Sequence, residues 1–190
     1  MDKLKGRECL LELADLFEET DLPFFIMQGT ALGAYRDHGF VPTERDIDFG
    51  VLYEDFYQHA PSLAQNLLAR DFEIETYSLP FHRPRMIVAW KYGCKADIVA
   101  LMKHRDKRFI ATPVRVQVPE PYCLVHEAAL VETWQTVELF GRNFNVPSPI
   151  EQYLLREYGP DWRTPQEDHV SRTRIYHYLE QERIPDDLLG

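Results

Sequence analysis

Apolar and polar positions change period several times along the chain. Leu4, Leu10, Leu11, Leu13, Ala14 and Phe17 recur at helical spacing, which predicts an amphipathic first helix. A turn at Thr20, Asp21, Leu22 and Pro23 delivers the chain into a short apolar run over 24–27. Gly29-Thr30 breaks that run. A second apolar run then carries Asp46-Ile47-Asp48 and fades near Leu52, so this stretch predicts strand, tight turn, short helix, strand. Leu, Phe and Ala at helical spacing predict a helix over 53–70, with a break expected at Pro61.

From Phe72 onward the pattern shortens to β-rich runs at 72–77, 86–92, 95–102, 109–111 and 114–118, and the short links between them predict antiparallel neighbours. Residues 134–140 and 143–146 predict a hairpin around Gly141-Arg142, followed by helices over 149–158 and around 168–182. The sum is a single α+β domain over 1–190, with a small mixed β-sheet flanked by helices. The sequence holds no internal repeat, low-complexity tract or interdomain linker.

Composition narrows the class. A chain of 190 residues suits one domain, and at that size roughly 70% of the unfolded surface is buried on folding. An apolar fraction of 45% with 13% aromatic residues argues against disorder. No run reaches the roughly 18 apolar residues of a membrane helix, and charges interrupt the apolar positions near the N-terminus, unlike a secretory signal. Cys9, Cys94 and Cys123 are odd in number and far apart, which suggests neither a disulfide framework nor a zinc site and leads us to expect a reducing, cytoplasmic setting. The seven histidines also lack a metal-binding spacing. A net charge of −10 argues against broad nucleic-acid binding, which depends on Lys and Arg neutralising phosphates. Local basic residues and metal ions still allow a small charged ligand.

The candidate chemistry lies at Asp46 and Asp48. On a strand they point the same way, with attachment points about 6.5 Å apart. Two carboxylates so placed suit a hard divalent ion, Mg²⁺ or Mn²⁺, which takes oxygen ligands from one or two carboxylates and substrate phosphates. Gly29-Thr30 offers backbone N–H groups that can approach a phosphate, with a helix N-terminus behind them. Arg36 has the planar fork that suits phosphate; the alternative is a surface pair with Asp37 or Glu44. For Asp46 and Asp48 the alternative is an acidic pair on an edge strand.

The stretch GTALGAYRDHGFVPTERDIDFG resembles the signature of the LicD/fukutin family, within the nucleotidyltransferase (polymerase-β-like) superfamily. Gly29, Thr30, Gly33, Ala34, Arg36, Gly39, Phe40, Pro42, Asp46 and Asp48 stand at the matching positions. Near the C-terminus VPSPIEQYLLREYGPDWRTP resembles the family's closing elements, where Tyr153, Tyr158 and Trp162 are expected to pack. Two departures stand out. Thr43, Glu44 and Arg45 replace the usual Trp-Asp-Asp, and Asp37 replaces the usual His.

The resemblance implies a nucleotidyltransferase-like fold and a third carboxylate from a later strand, for which Asp97 is the candidate. The alternative for Asp97 is a solvent-facing position or a salt bridge to Lys95. It also implies transfer of a phospho-alcohol, such as phosphocholine or ribitol phosphate, from a CDP-linked donor to a sugar hydroxyl or other small-molecule acceptor. On this reading Asp46, Asp48 and Asp97 would hold two metal ions roughly 3.5 to 4 Å apart, with Asp97 taking the acceptor's proton. Gly29, Thr30 and Arg36 would meet the donor. Lys95, Lys103, His104, Arg105, Lys107 and Arg108 include groups that can reach phosphate or nucleobase, although most are expected to form a solvated turn. Two other functions fit the same residues: transfer of NMP from an NTP to a small molecule or protein, and non-catalytic binding of a nucleotide or partner. The Thr43-Glu44-Arg45 departure favours the last, and the retained carboxylates oppose it.

Overall fold

A computed structural model describes residues 1–79, 83–110, 122–165 and 180–189. Helix α1, Lys3–Glu19, is capped by Asp2, whose carboxylate accepts from the N–H groups of Leu4 and Lys5. Its buried face includes Leu10, Leu13 and Phe17. Strand β1, Phe25–Ile26, leads into α2, Gln28–Leu32, which continues as a π-helical turn over Gly33–Asp37. Strand β2, Asp46–Leu52, runs directly into α3, Tyr53–Ala69.

Four strands follow at the predicted places, β3 (Glu73–Leu79), β4 (Arg83–Lys91), β5 (Cys94–His104) and β6 (Lys107–Ile110). Next come β7 (Tyr122–Glu127) and a short α4 (Ala128–Val131). The hairpin forms as β8 (Trp134–Leu139) and β9 (Arg142–Pro147), and α5 covers Ile150–Tyr158. Strand β10 (Glu180–Arg183) and α6 (Asp186–Leu189) close the described chain.

The main sheet is mixed. It runs β1-β2-β5-β6-β7-β10, with β4 also on β5 and β3 beyond it. The predicted antiparallel neighbours are present from β3 to β6, and β7, which the sequence did not predict, pairs antiparallel with β6. The parallel pair is β2 with β5, joined through α3 and the β3–β4 hairpin. Strand β5 is long enough to serve three partners, giving its first residues to β4 and its last to β6. On the inner face of the parallel pair lie Ile47, Phe49 and Val51 with Ala96, Ile98 and Ala100, all fully buried. Phe49 meets Phe17 of α1 edge-on with ring centroids 5.0 Å apart, and Phe24 joins them. Gly50 is required there, because a Cβ would lie 2.4 Å from the ring of Phe25.

Two expectations are corrected. Helix α3 passes through Pro61 without a break. A proline inside a helix costs roughly 3 kcal/mol, but Phe56, Ala60, Leu63 and Leu67 are buried on both sides of it, and each large apolar side chain returns roughly 1.5 to 3 kcal/mol. The helix predicted around 168–182 lies mostly outside the described residues, and its described end, β10, is a strand paired with β7. The strand predicted over 114–118 also lies outside them. Among the described residues Cys9 and Cys94 are buried free thiols, and no helix is long and apolar enough to cross a membrane.

Candidate active site

The register of β2 on β5 creates the site. Asp46 lies opposite Lys95 and Asp48 opposite Asp97. Side chains alternate along a strand, so all four project from the face opposite Phe49 and Ile98. Glu44, just before β2, completes the group. Ligand oxygens of Glu44, Asp46 and Asp48 all lie within 4.8 Å of one another, which is a donor set a hard cation can bind. Sequence reasoning treated Glu44 as part of a departure; the signal that it belongs here was its acidic character at a position the family fills with Asp.

Asp48 is held hardest. Its N–H donates to the Thr30 hydroxyl at 2.9 Å, and its carbonyl accepts from the Met27 N–H at 3.0 Å. Burial pushes its carboxyl well above the usual carboxylate range, and the charges of Asp46, Glu44 and Asp97 push the same way. Such a group wants a proton or a cation.

Asp97 meets its sequence alternative. Lys95 Nζ donates to Asp97 Oδ2 at 2.6 Å and stands 3.6 Å from Asp46 Oδ2. Burial raises the Asp97 pKa, Lys95 opposes the rise, and Asp46 adds to it. Oδ1 of Asp97 is buried and has no hydrogen-bond partner among the described residues. Burial alone would lower the Lys95 pKa, but its hydrogen bond to Asp97 and the nearby charges of Asp97, Asp46 and Asp48 raise it overall, so it stays an ammonium.

The predicted ligand-binding residues take other partners. At Gly29 a Cβ would fall 1.8 Å from Glu44 Oε2, so the missing side chain makes room for Glu44. Thr30 is fully buried and its hydroxyl is tied to the Asp48 backbone. Arg36 adopts the surface-pair alternative in part: it forks onto Asp37 with both contacts at 2.8 Å and donates to the Trp162 carbonyl at 2.9 Å.

The basic run does contain an exposed turn at Arg105-Asp106, but most of its other side chains meet carboxylates. Arg108 is buried between Glu54 and Glu132, Lys103 pairs with Glu132, Lys107 with Glu182, and His104 with Asp187. Tyr153 and Trp162 pack as expected. A small, largely apolar cavity of about 280 Å³ lies off the carboxylates, lined by residues including Lys3, Phe40, Pro42 and Phe140. It offers no group with evident chemistry.

The site therefore defines a class: an α+β domain presenting clustered carboxylates along the edge of a parallel strand pair. Residues 21–148 match the family model described as LicD/FKTN/FKRP, nucleotidyltransferase domain, and the chain belongs to that family. It is 30% identical over 159 residues to an uncharacterized protein of Rickettsia prowazekii, covering 82% of this chain and 54% of that protein. Over 52 residues it is 33% identical to the ribitol-5-phosphate transferase FKTN of Mus musculus, covering 27% of this chain and 11% of that one. The match covers 54% of the Rickettsia prowazekii protein and 44% of an uncharacterized protein of Caenorhabditis elegans, so the chain spans about half the length of these two relatives. Among solved structures it resembles ANT(2")-Ia in complex with adenylyl-2"-tobramycin, with 17% identity, 90% of this chain and 85% of that chain covered, and a TM-score of 0.48.

Proposed function

We propose that the chain is a Mg²⁺- or Mn²⁺-dependent transferase that moves a phospho-alcohol from a CDP-linked donor to a sugar hydroxyl. The observation that carries the reading is the convergence of Glu44, Asp46 and Asp48 in a member of the LicD/FKTN/FKRP family. The local similarity to a ribitol-5-phosphate transferase supports the group transferred.

The donor set fits a hard dication, because its oxygens converge and Asp48 is buried among like charges. Once held by Glu44, Asp46 and Asp48, the ion would supply positive charge to the donor's phosphate oxygens. The chain's own part is positioning, the main resource in phosphoryl transfer. Thr30 and Met27 fix Asp48 through its backbone. Lys95 adds an ammonium beside the carboxylates, and Asp97, with Oδ1 unpartnered, is our candidate for taking the acceptor hydroxyl's proton. Glu44 keeps an acid at the middle position of the Thr43-Glu44-Arg45 departure, which counts against a degenerate domain.

A second reading, NMP transfer from an NTP, is favoured by the family model's description as a nucleotidyltransferase domain. The two differ in the bond broken. Phospho-alcohol transfer from a CDP-alcohol releases CMP, and nucleotidyl transfer releases pyrophosphate. Incubation with CDP-choline, CDP-ribitol, CTP or ATP and a panel of sugars, with Mg²⁺ or Mn²⁺, should release CMP from a CDP-alcohol, and Asp46→Asn with Asp48→Asn should abolish it. Pyrophosphate release from an NTP would replace the first reading with the second.

A further inference from the structure

The remaining charge at the site belongs to Lys95, and its role rests on the metal site proposed for Glu44, Asp46 and Asp48. We propose that the Lys95 ammonium is the permanent cation of the Asp46–Asp97 half of the site, so that the chain binds one divalent ion, on Glu44, Asp46 and Asp48, rather than a pair. The superfamily-based expectation of two ions held by Asp46, Asp48 and Asp97 would be corrected accordingly.

The geometry supports this in three ways. Lys95 Nζ sits 2.6 Å from Asp97 Oδ2 and 3.6 Å from Asp46 Oδ2, the place a second ion bridging those carboxylates would occupy. An ammonium and a metal ion cannot occupy one position, so the two exclude each other there. Strand register puts Lys95 there: it is directly opposite Asp46 on β2, and Trp90 of β4 is its neighbour on the other side. Finally, the convergent oxygens include Glu44, Asp46 and Asp48 but not Asp97. A lysine is ordinarily protonated at neutral pH, and the two carboxylates hold its ammonium in place. An ammonium fixed to the chain cannot be chelated away, so its share of the charge neutralisation would survive metal depletion.

Titration of the full chain with Mn²⁺, read by electron paramagnetic resonance, tests this without relying on turnover. One tight Mn²⁺ per chain is expected in the parent. The same stoichiometry should persist in Asp97→Asn and vanish in Asp46→Asn with Asp48→Asn. Lys95→Met should admit a second ion, and Lys95→Met with Asp97→Asn should return the count to one. Circular dichroism checks each variant's fold; the parent and Asp97→Asn results stand even where the Lys95 variant does not fold. Two ions in the parent, loss of Mn²⁺ in Asp97→Asn, or one ion in a folded Lys95→Met would each overturn the role of Lys95 and leave the metal site itself standing. No saturable Mn²⁺ in the parent would instead overturn the metal site, and the proposed function with it.

Discussion

Asp48 carries an unfavourable charge in the metal-free protein, and its consequence for stability has a definite sign. Its folded pKa is raised by burial, then by Asp46, Glu44 and Asp97, so the folded state holds this proton to higher pH than the unfolded state does. A raised carboxyl contributes stability while it is protonated and loses it as pH rises through the folded pKa. In EDTA, Asp48→Asn should therefore melt above the parent at neutral and mildly alkaline pH, and the gap should close on acidification; melting curves across that range check it. An unchanged gap would mean that the Asp48 environment does not disfavour its charge. Gly29 works at the same scale through space. A methyl there would meet Glu44 Oε2, the movable end of a side chain, so Gly29→Ala should alter stability by no more than about 1 kcal/mol. It should weaken Mn²⁺ binding about tenfold or more, as calorimetry would report. Equal losses in both would make the glycine a purely structural residue.

At the scale of elements, α5 supports the opening of α2. Tyr153 of α5 is fully buried, and its hydroxyl accepts the Gln28 N–H at 3.0 Å. Gln28 has a positive φ of 45°, a conformation that non-glycine residues rarely hold without support. Tyr153→Phe leaves that N–H without its partner and should cost about 1 to 2 kcal/mol in urea denaturation. No change would show that water replaces the hydroxyl. The same helix carries Glu157, buried with its Oε1 3.0 Å from His126 Nε2 on β7. The helix thus ties the far side of the sheet to the turn that precedes Gly29. Tyr35 and Arg36 of the π-helical turn lean on the C-terminal segment as well, through the Trp162 ring and carbonyl. These contacts join the two stretches of sequence that resemble the family, which are separated by residues 51–145.

At the scale of the whole molecule, what was legible in the sequence was local. Helical period marked α1, α3 and α5, and short apolar runs marked β3 to β6, of which β4 and β5 are buried on both faces; alternation around Asp46 and Asp48 put two carboxylates on a single side of β2. The hairpin was legible around Gly141-Arg142; its turn falls one residue earlier, at Phe140-Gly141, where both residues adopt positive φ. Strand β7 was not legible, since its short mixed run has no clear period of its own. The partners of side chains were beyond local reading too. Arg108 lies in a basic run that looks solvated, and only the approach of α3 and α4 buries it between Glu54 and Glu132. For Arg36 the sequence left a phosphate fork and a pair with Asp37 or Glu44 both open, and the fold adds a carbonyl at Trp162. The site divides in the same way. The residue types and the Asp46–Asp48 spacing determined that acidic chemistry was available, because a strand's two-residue repeat is a property of the backbone alone. The parallel register of β2 on β5 decided that Lys95 stands beside Asp46 and holds Asp97, because cross-strand pairing depends on how segments about 50 residues apart pack on a common core, which no local pattern encodes.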